Sequence, residues 1–206
     1  MRFILGLTGG IASGKTNLTD ALRAYGARVA DADEISRALT APGGEALPAI
    51  REAFGDAVFH GDELDRRALG QAVFSDEDAR RKLEAILHPM VLDAMRAQSR
   101  GDGITVWCVP LLFETGMDRF CDEVWCAYVP KAVQLERLMK RSALTRKEAA
   151  ARIASQLPNA ERRRRADRVI STAGTREESA AEIIRLYDEL RTRLAAGEGE
   201  QDAGKE

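Results

Sequence analysis

The chain has 206 residues, of which 45% are hydrophobic and 31% are charged, and its formal net charge is −2 at pH 7. That length supports one sizeable α/β core, and the balance of apolar and charged residues excludes a disordered chain. The nearly neutral charge provides no overall field to attract nucleic acid, and no apolar run reaches the roughly 18 residues that a membrane-spanning helix needs.

Strand-like and helix-like segments alternate along the chain, which predicts a parallel sheet joined by right-handed crossovers. Buried strands are predicted over residues 2–8, 27–33, 104–114, 122–130 and 166–172. Helices are predicted over residues 15–25, 75–98, 131–141, 144–156 and 176–194. Ser75 and Thr145 are expected to be the N-caps of their helices. Pro89 is expected to kink or break the helix that contains it.

The loop after the first strand carries the pattern G-x-x-x-x-G-K-[ST] between Gly9 and Thr16. Glycines let the backbone approach a ligand closely, and successive N–H groups at a helix N-terminus form a cradle for an anion. Lys15 would reach the β- and γ-phosphates of a nucleoside triphosphate, and the Thr16 hydroxyl would bind Mg²⁺. A chance match is the alternative, but the pattern lies between a predicted strand and a predicted helix. It therefore predicts triphosphate binding.

The rest of the sequence favours a small-molecule kinase over other triphosphate-binding proteins. The N-K-x-D motif with which GTPases recognise guanine is absent from the chain. The apolar strand of a motor ATPase would end in an aspartate, whereas segment 104–114 passes Pro110 and reaches only Glu114. A nucleotide-dependent binding switch without acceptor chemistry remains the less favoured alternative.

Two aspartates, Asp31 and Asp33, close the second predicted strand. Ligands of open α/β sheets lie outside the carboxyl ends of the strands, and period-2 alternation puts both acids on one side if the strand extends that far. The Asp33 carboxylate would then orient an acceptor hydroxyl or accept its proton. In the alternative, these acids cap a helix that begins near Glu34. The glycine loop favours the catalytic interpretation of Asp33.

Arginines cluster in two places in the second half of the chain. Arg137 and Arg141 lie four residues apart, so they project from one face of their predicted helix. They could clamp the transferring phosphoryl group, or they could form a solvated face paired with acids such as Glu136. The run ERRRRADR at 161–168 is interpreted as a solvated face rather than a nucleic-acid patch, because it lacks interleaved aromatic residues and the chain is acidic.

Five segments together closely resemble the dephospho-CoA kinase family. In chain order they are GLTGGIASGKT (6–16), DADEISR (31–37), LEAILHPMV (83–91), VPLLFETG (109–116) and ADRVISTAGT (166–175). The resemblance covers nearly the whole chain apart from the tail. It implies transfer of phosphate from ATP, with Mg²⁺, to the ribose 3′-hydroxyl of dephospho-CoA. It also implies a P-loop NTPase-type three-layer αβα fold with an inserted helical substrate domain and a lid.

The resemblance also implies roles for individual residues, position by position. The ATP-binding residues would be Gly10, Ile11, Ala12, Ser13, Gly14, Lys15, Thr16 and Asn17. The acceptor-binding residues would be Asp33, His88, Leu111, Leu112, Phe113 and Glu114. The catalytic set would be Asp33 as the base, with Lys15, Arg137 and Arg141. The chain departs from the family pattern at Ala12, where glycine is usual, and at Leu92, where arginine is frequent. His88 could equally satisfy a buried hydrogen bond beside Pro89.

This resemblance predicts one kinase unit over residues 1–194. Its parts would be a core of about 1–40, 102–135 and 166–194, a helical acceptor-binding insertion of about 42–100 and a lid of about 137–165. The small, polar residues of 195–206 are expected to be disordered. We expect a monomer that binds neither nucleic acid nor membrane. A kinase for another nucleoside-like alcohol is the second hypothesis.

The three cysteines, Cys108, Cys121 and Cys126, have neither CxxC spacing nor histidine partners spaced for a metal. Reduced, mostly buried thiols in a cytoplasmic protein are therefore expected.

Overall fold

The computed structural model describes residues 1–203, without the side chains of Ser75 and of residues 198–203. The strands are β1 (Arg2–Gly9), β2 (Arg28–Asp31), β3 (Phe59–His60), β4 (Glu63–Leu64), β5 (Gly103–Cys108), β6 (Glu123–Tyr128) and β7 (Arg168–Ser171). The α-helices are α1 (Lys15–Ala24), α2 (Ala32–Leu39), α3 (Leu47–Phe54), α4 (Arg66–Ser75), α5 (Glu77–Gln98), α6 (Lys131–Ser142), α7 (Arg146–Ala154), α8 (Asn159–Arg165) and α9 (Arg176–Ala203).

Five strands form one sheet in the order β2-β5-β1-β6-β7. The central strand β1 is parallel to both neighbours, with Arg2 paired to Gly103 of β5 and Leu5 paired to Glu123 of β6. Its apolar run is buried because helices cover both faces of a parallel sheet. The core formed there includes Leu5, Leu7, Leu18, Leu22, Trp125, Ile183 and Leu186. This is the predicted three-layer αβα fold of the P-loop kinases.

The chain divides into two compact units, Met1–Ala30 with Gly101–Glu206 and Asp31–Arg100. The first unit contains the glycine loop and nearly all of the sheet. In the second unit, α5 packs against α2, α3 and α4. A short β3–β4 hairpin, which the sequence analysis did not predict, pairs Phe59 with Leu64 there. Among residues 1–203, no helix is long and apolar enough to cross a membrane.

Four predicted strands are shorter than the sequence suggested, and two of these differences concern the site. β2 ends at Asp31, and Asp33 lies in α2 rather than on the strand. The strand predicted over 104–114 ends at Cys108, before Pro110, because proline has no N–H to donate to a neighbouring strand. In both places a residue that ends a strand, the helix cap Asp31 or the proline Pro110, outweighs the pattern that predicted a longer strand.

The helices also correct three predictions. Ser75 is the last residue of α4, and Asp76 caps α5 by accepting hydrogen bonds from the N–H groups of Asp78 and Ala79. Of the kink or break expected at Pro89, the break is absent, since the helix continues to Gln98. At the end of the chain, α9 runs to Ala203, although residues 195–206 were expected to be disordered. Residues 204–206 lie outside the described residues.

Candidate active site

The glycine loop joins β1 to α1 and is fixed by two residues with left-handed backbone. Gly14 is the N-cap of α1 with φ of 84°, and a Cβ built on it would lie 3.0 Å from Cβ of Thr172. Only glycine satisfies both conditions. Ala12 has φ of 58°, so it adopts a conformation that costs an L-residue with a Cβ about 1–2 kcal/mol. This is the position where the family usually has glycine.

The polar groups of the loop suit a bound phosphate. α1 begins at Lys15, so the N–H groups of Lys15 and Thr16 lie in its first turn and lack acceptors within the helix. The Oγ of Ser13 is buried and has no hydrogen-bond partner among the residues that the structure describes. A buried hydroxyl without a partner is unfavourable. An anion at the loop would satisfy all three donors at once.

The Lys15 side chain is held at the end of β5. Its Nζ donates a hydrogen bond to Sγ of Cys108 at 2.6 Å. Because Cys108 is the last residue of β5, this contact keeps the ammonium group near the carboxyl edge of the sheet. Ligands of α/β proteins bind at that edge.

Cys108 and Cys126 are buried, Cys121 is partly buried, and all three are free thiols. Burial raises the pKa of Cys121 to about 12, helped by the charges of Asp118 and Asp122. Burial also raises the pKa of Cys126 to about 11. Cys121 and Cys126 are therefore protonated at neutral pH.

The predicted ATP-binding residue Asn17 has a structural task. Its Nδ2 donates to the carbonyl of Arg176 at 2.9 Å and to Oγ of Ser179 at 3.0 Å. These bonds connect α1 to the start of α9. The side chain of Asn17 is thus already engaged, and its backbone N–H donates to the Gly14 carbonyl at 3.1 Å.

Arg137 is linked to the loop through Thr172. Its guanidinium donates to the Thr172 carbonyl at 2.7 Å, and the Thr172 hydroxyl donates to the Ser13 carbonyl at 2.5 Å. Arg141 is exposed in the last turn of the same helix. The structure therefore brings Arg137, but not Arg141, into a chain of contacts that reaches the loop.

The segment after β5 is largely buried. Leu112 and Phe113 lie in the interior, whereas the side chain of Leu111 is 41% exposed. Glu114 accepts a hydrogen bond from the Leu157 N–H at 3.0 Å and pairs with Arg162. The two buried residues, Leu112 and Phe113, attach this segment to the interior, and Leu111 is the apolar residue that it exposes.

Arg162 corrects the interpretation of the run at 161–168 as a solvated face. Its side chain is 1% exposed, pairs with Glu114 and donates to the carbonyls of Pro110 at 3.3 Å and Leu157 at 3.2 Å. The next arginine, Arg163, is exposed and stacks on Tyr128. Arg162 alone is buried and anchors α8, whereas Arg163, Arg164 and Arg165 are exposed, as predicted for a solvated face. No local pattern marks Arg162, because its partner Glu114 lies 48 positions earlier.

In the unit Asp31–Arg100, Asp31 is the N-cap of α2. Its Oδ1 accepts from the N–H groups of Asp33 at 2.9 Å and Glu34 at 3.2 Å, which confirms the capping alternative for this residue. Asp33 lies in the first turn of α2 with an exposed side chain. His88 is exposed in the middle of α5, so it does not make the buried hydrogen bond considered for it.

The sequence analysis missed the polar side chains that hold the loop, namely Thr172, Gln134, Gln156 and Asn159. Thr172 lies in the family-like segment at 166–175 and ends the strand predicted over 166–172, so its place at the carboxyl edge of the sheet was the available signal. The other three belong to no motif. The glutamines and the asparagine lie in helices and turns where such residues are common.

Comparison with known proteins agrees with this arrangement. The family model described as dephospho-CoA kinase matches residues 3–178. The dephospho-CoA kinase of Anaeromyxobacter dehalogenans is 46% identical over 194 residues, which cover 91% of this chain and 92% of that protein. TT1252 from Thermus thermophilus has a TM-score of 0.78 at 34% identity, covering 92% of this chain and 98% of that one. Dephospho-CoA kinase from Campylobacter jejuni shares the fold, with a TM-score of 0.63 at 24% identity over 90% of this chain and 96% of its own. The chain belongs to the dephospho-CoA kinase family and is an ATP-dependent kinase.

Proposed function

We propose that this kinase transfers the γ-phosphoryl group of ATP to the ribose 3′-hydroxyl of dephospho-CoA, giving CoA and ADP. The observation that carries the donor half is the preformed loop, in which the N–H groups of Lys15 and Thr16 and the buried Ser13 hydroxyl await an acceptor. The family match over residues 3–178 supports the acceptor half.

On the donor side, the loop would hold the phosphates through its N–H groups, and the Lys15 ammonium would move from Cys108 to the β- and γ-phosphates. Thr16, exposed at the start of α1, would hold Mg²⁺ together with the phosphates. The ion, when bound, neutralises charge on the leaving group.

On the acceptor side, Asp33 would accept the proton of the 3′-hydroxyl. The oxygen then attacks the γ-phosphorus, the bond between that phosphorus and the β–γ bridging oxygen breaks, and ADP leaves. Two features support Asp33. Its carboxylate takes no part in the cap, since only its backbone N–H binds Asp31. It also lies two residues after the last residue of β2, at the end of a strand, where α/β proteins bind their ligands.

The remaining predicted residues have supporting roles. Exposed Leu111 and His88 would contact dephospho-CoA, while Leu112, Phe113 and Glu114 keep their segment in place. Arg137 and Arg141 would stabilise the transferring phosphoryl group when the lid closes. The free thiols support a cytoplasmic location.

Mass spectrometry of a reaction that contains only the protein, Mg·ATP and dephospho-CoA tests the proposal. We expect the acceptor to gain one phosphate, and its 3′-deoxyribose analogue to gain none. Phosphorylation of the analogue would overturn the assigned hydroxyl. If another nucleoside-like alcohol from a panel is phosphorylated while dephospho-CoA is not, dephospho-CoA is not the acceptor. ATP hydrolysis without any phosphorylated small molecule would support the binding switch.

The Asp33→Asn variant tests the base. The substitution is nearly isosteric and keeps the backbone N–H that binds Asp31, so α2 should form normally. We expect kcat to fall about 10²- to 10⁴-fold, the usual contribution of a general base, with unchanged affinity for a non-hydrolysable ATP analogue. Asp20→Asn, at an exposed position of α1, is the matched control. Turnover of Asp33→Asn equal to that of the control would exclude this role.

A further inference from the structure

Two side-chain amides bind the backbone of Ile11 in the glycine loop, and a third side-chain amide supports one of them. Gln156 Oε1 accepts the N–H of Ile11 at 2.7 Å, and Gln134 Nε2 donates to the Ile11 carbonyl at 2.7 Å. Asn159 Nδ2 donates in turn to Gln134 Oε1 at 2.9 Å. We call Gln134, Gln156 and Asn159 the amide clamp. Its members come from α6, from the turn after α7 and from the first position of α8.

The clamp packs directly on Gly10. A Cβ at this position would lie 2.9 Å from Gln134 Nε2 and 3.1 Å from Asn159 Oδ1. Gln134 is itself only 1% exposed, so it has little space in which to move aside. Glycine at position 10 is therefore needed for the clamp to reach the loop, in addition to any need for phosphate to approach it.

The backbone N–H and the backbone carbonyl of Ile11 are both paired with the clamp. The Ile11 N–H is thus unavailable to a phosphate while Gln156 holds it, although Ile11 was predicted to bind ATP. Within the part of the chain that the structure describes, no side chain accepts a hydrogen bond from the N–H groups of Lys15 and Thr16 in the first turn of α1. The loop therefore has two parts: the clamp holds Ile11, and the N–H groups of Lys15 and Thr16 are left to bind the anion.

The clamp lies on one side of the strained residue Ala12, and Thr172 lies on the other. The clamp fixes Ile11, while the Thr172 hydroxyl fixes the carbonyl of Ser13 at 2.5 Å. Left-handed backbone at a residue with a Cβ persists only where its surroundings determine it. Anchors on both neighbours supply that constraint here.

We propose that Gln134, Gln156 and Asn159 are positioning residues, which hold the glycine loop in the geometry that binds the phosphates of ATP. Their loss relaxes the loop around Ala12 and weakens nucleotide binding, although none of them touches the phosphates. The inference depends on ATP as the phosphoryl donor but not on the identity of the acceptor.

The first test compares the same substitution at two positions with opposite hydrogen-bond roles. Gln156 is an acceptor from Ile11, and glutamate still accepts; Gln134 is a donor to Ile11, and glutamate cannot donate. Both Gln156→Glu and Gln134→Glu add one negative charge near the loop. We expect Gln134→Glu to bind a non-hydrolysable ATP analogue about tenfold more weakly than Gln156→Glu, since one buried hydrogen bond is lost. Equal affinities in titration calorimetry would overturn the proposal.

A second variant decides the question if buried Gln134→Glu does not fold. Gln156→Met removes the acceptor without adding charge, and Gln98→Met at the exposed end of α5 is its control. We expect Gln156→Met to raise both Kd for the analogue and KM for ATP about five- to tenfold, with KM for the acceptor unchanged. Wild-type affinity, or an equal loss for nucleotide and acceptor, would contradict a positioning role. A wild-type chain that fails to bind the analogue would instead refute the proposed function.

Discussion

The glycine loop and the first turn of α2 both carry residues assigned to phosphoryl transfer, but they are held in different ways. The backbone N–H and carbonyl of Ile11 are anchored by side chains 145 and 123 positions away, and the Ser13 carbonyl by one 159 positions away. The turn that carries Asp33 is set by Asp31, two positions earlier. Several N–H groups that must converge on one anion need support from distant parts of the fold. The single carboxylate of Asp33 needs only the cap of its own helix to hold its position.

Of the three tests that follow, the one with the largest expected effect concerns the loop. Lys15→Met removes the ammonium group that the loop directs to the phosphates, so turnover should fall about 10²- to 10³-fold, or about 2.7–4 kcal/mol of transition-state stabilisation. Initial rates of ADP release in the presence of acceptor measure it. Lys82→Met, at an exposed position of α5, should retain full activity. A comparable loss in both variants would mean that Lys15 acts through general charge.

The next test asks whether a contact between residues far apart in sequence, the pair of Arg162 and Glu114, also stabilises the fold. Arg162→Met leaves Glu114 without its partner, and breaking a buried pair typically costs 3–5 kcal/mol. Because the Glu114 side chain is 26% exposed, we expect the low end, about 3 kcal/mol, from urea denaturation. Arg164→Met, whose side chain is 73% exposed, should change the free energy of unfolding by less than about 0.5 kcal/mol. Equal urea midpoints for the two variants would show that the buried pair stabilises nothing.

The smallest effect tests the local support of Asp33. Asp31→Ala removes the N-cap of α2 and should lower the free energy of unfolding by about 1 kcal/mol, because two N–H groups lose their acceptor. Asp31→Asn should be nearly neutral, since the amide oxygen still accepts. Circular dichroism during thermal unfolding separates the two variants. If Asp31→Asn loses as much stability as Asp31→Ala, the charge rather than the cap supports the turn.

The features that sequence predicted well are those with short-range signals. The glycine pattern directly follows an apolar strand and directly precedes a helix, and both neighbours are as predicted. The Thr145 cap was predicted from its residue type, and the structure shows a complete capping box with Glu148. In each case the physical cause lies within a few residues, so the sequence contains it.

The features that the sequence did not predict depend either on contacts between residues far apart in the chain or on two local preferences that compete. Arg162 is buried because Glu114 and two carbonyls meet it in space. The amide clamp depends on how α6 and α8 approach the loop. At Asp33, the apolar alternation favoured a longer strand, but the cap by Asp31 starts a helix one residue after it. Where two local preferences compete, the sequence alone does not determine which one prevails.

The position of β1 in the sheet has a consequence for the order in which this molecule can be built. Arg2 pairs with Gly103, and Leu5 pairs with Glu123, so the central strand has no neighbour in the sheet until the residues of β5 have left the ribosome. Residues Asp31–Arg100 form a continuous segment with its own internal packing, which needs no residue synthesised later. The nucleotide loop is thus synthesised at least 123 positions before its supports at Gln134, Gln156 and Thr172. Nascent chains truncated before those positions should not bind ATP.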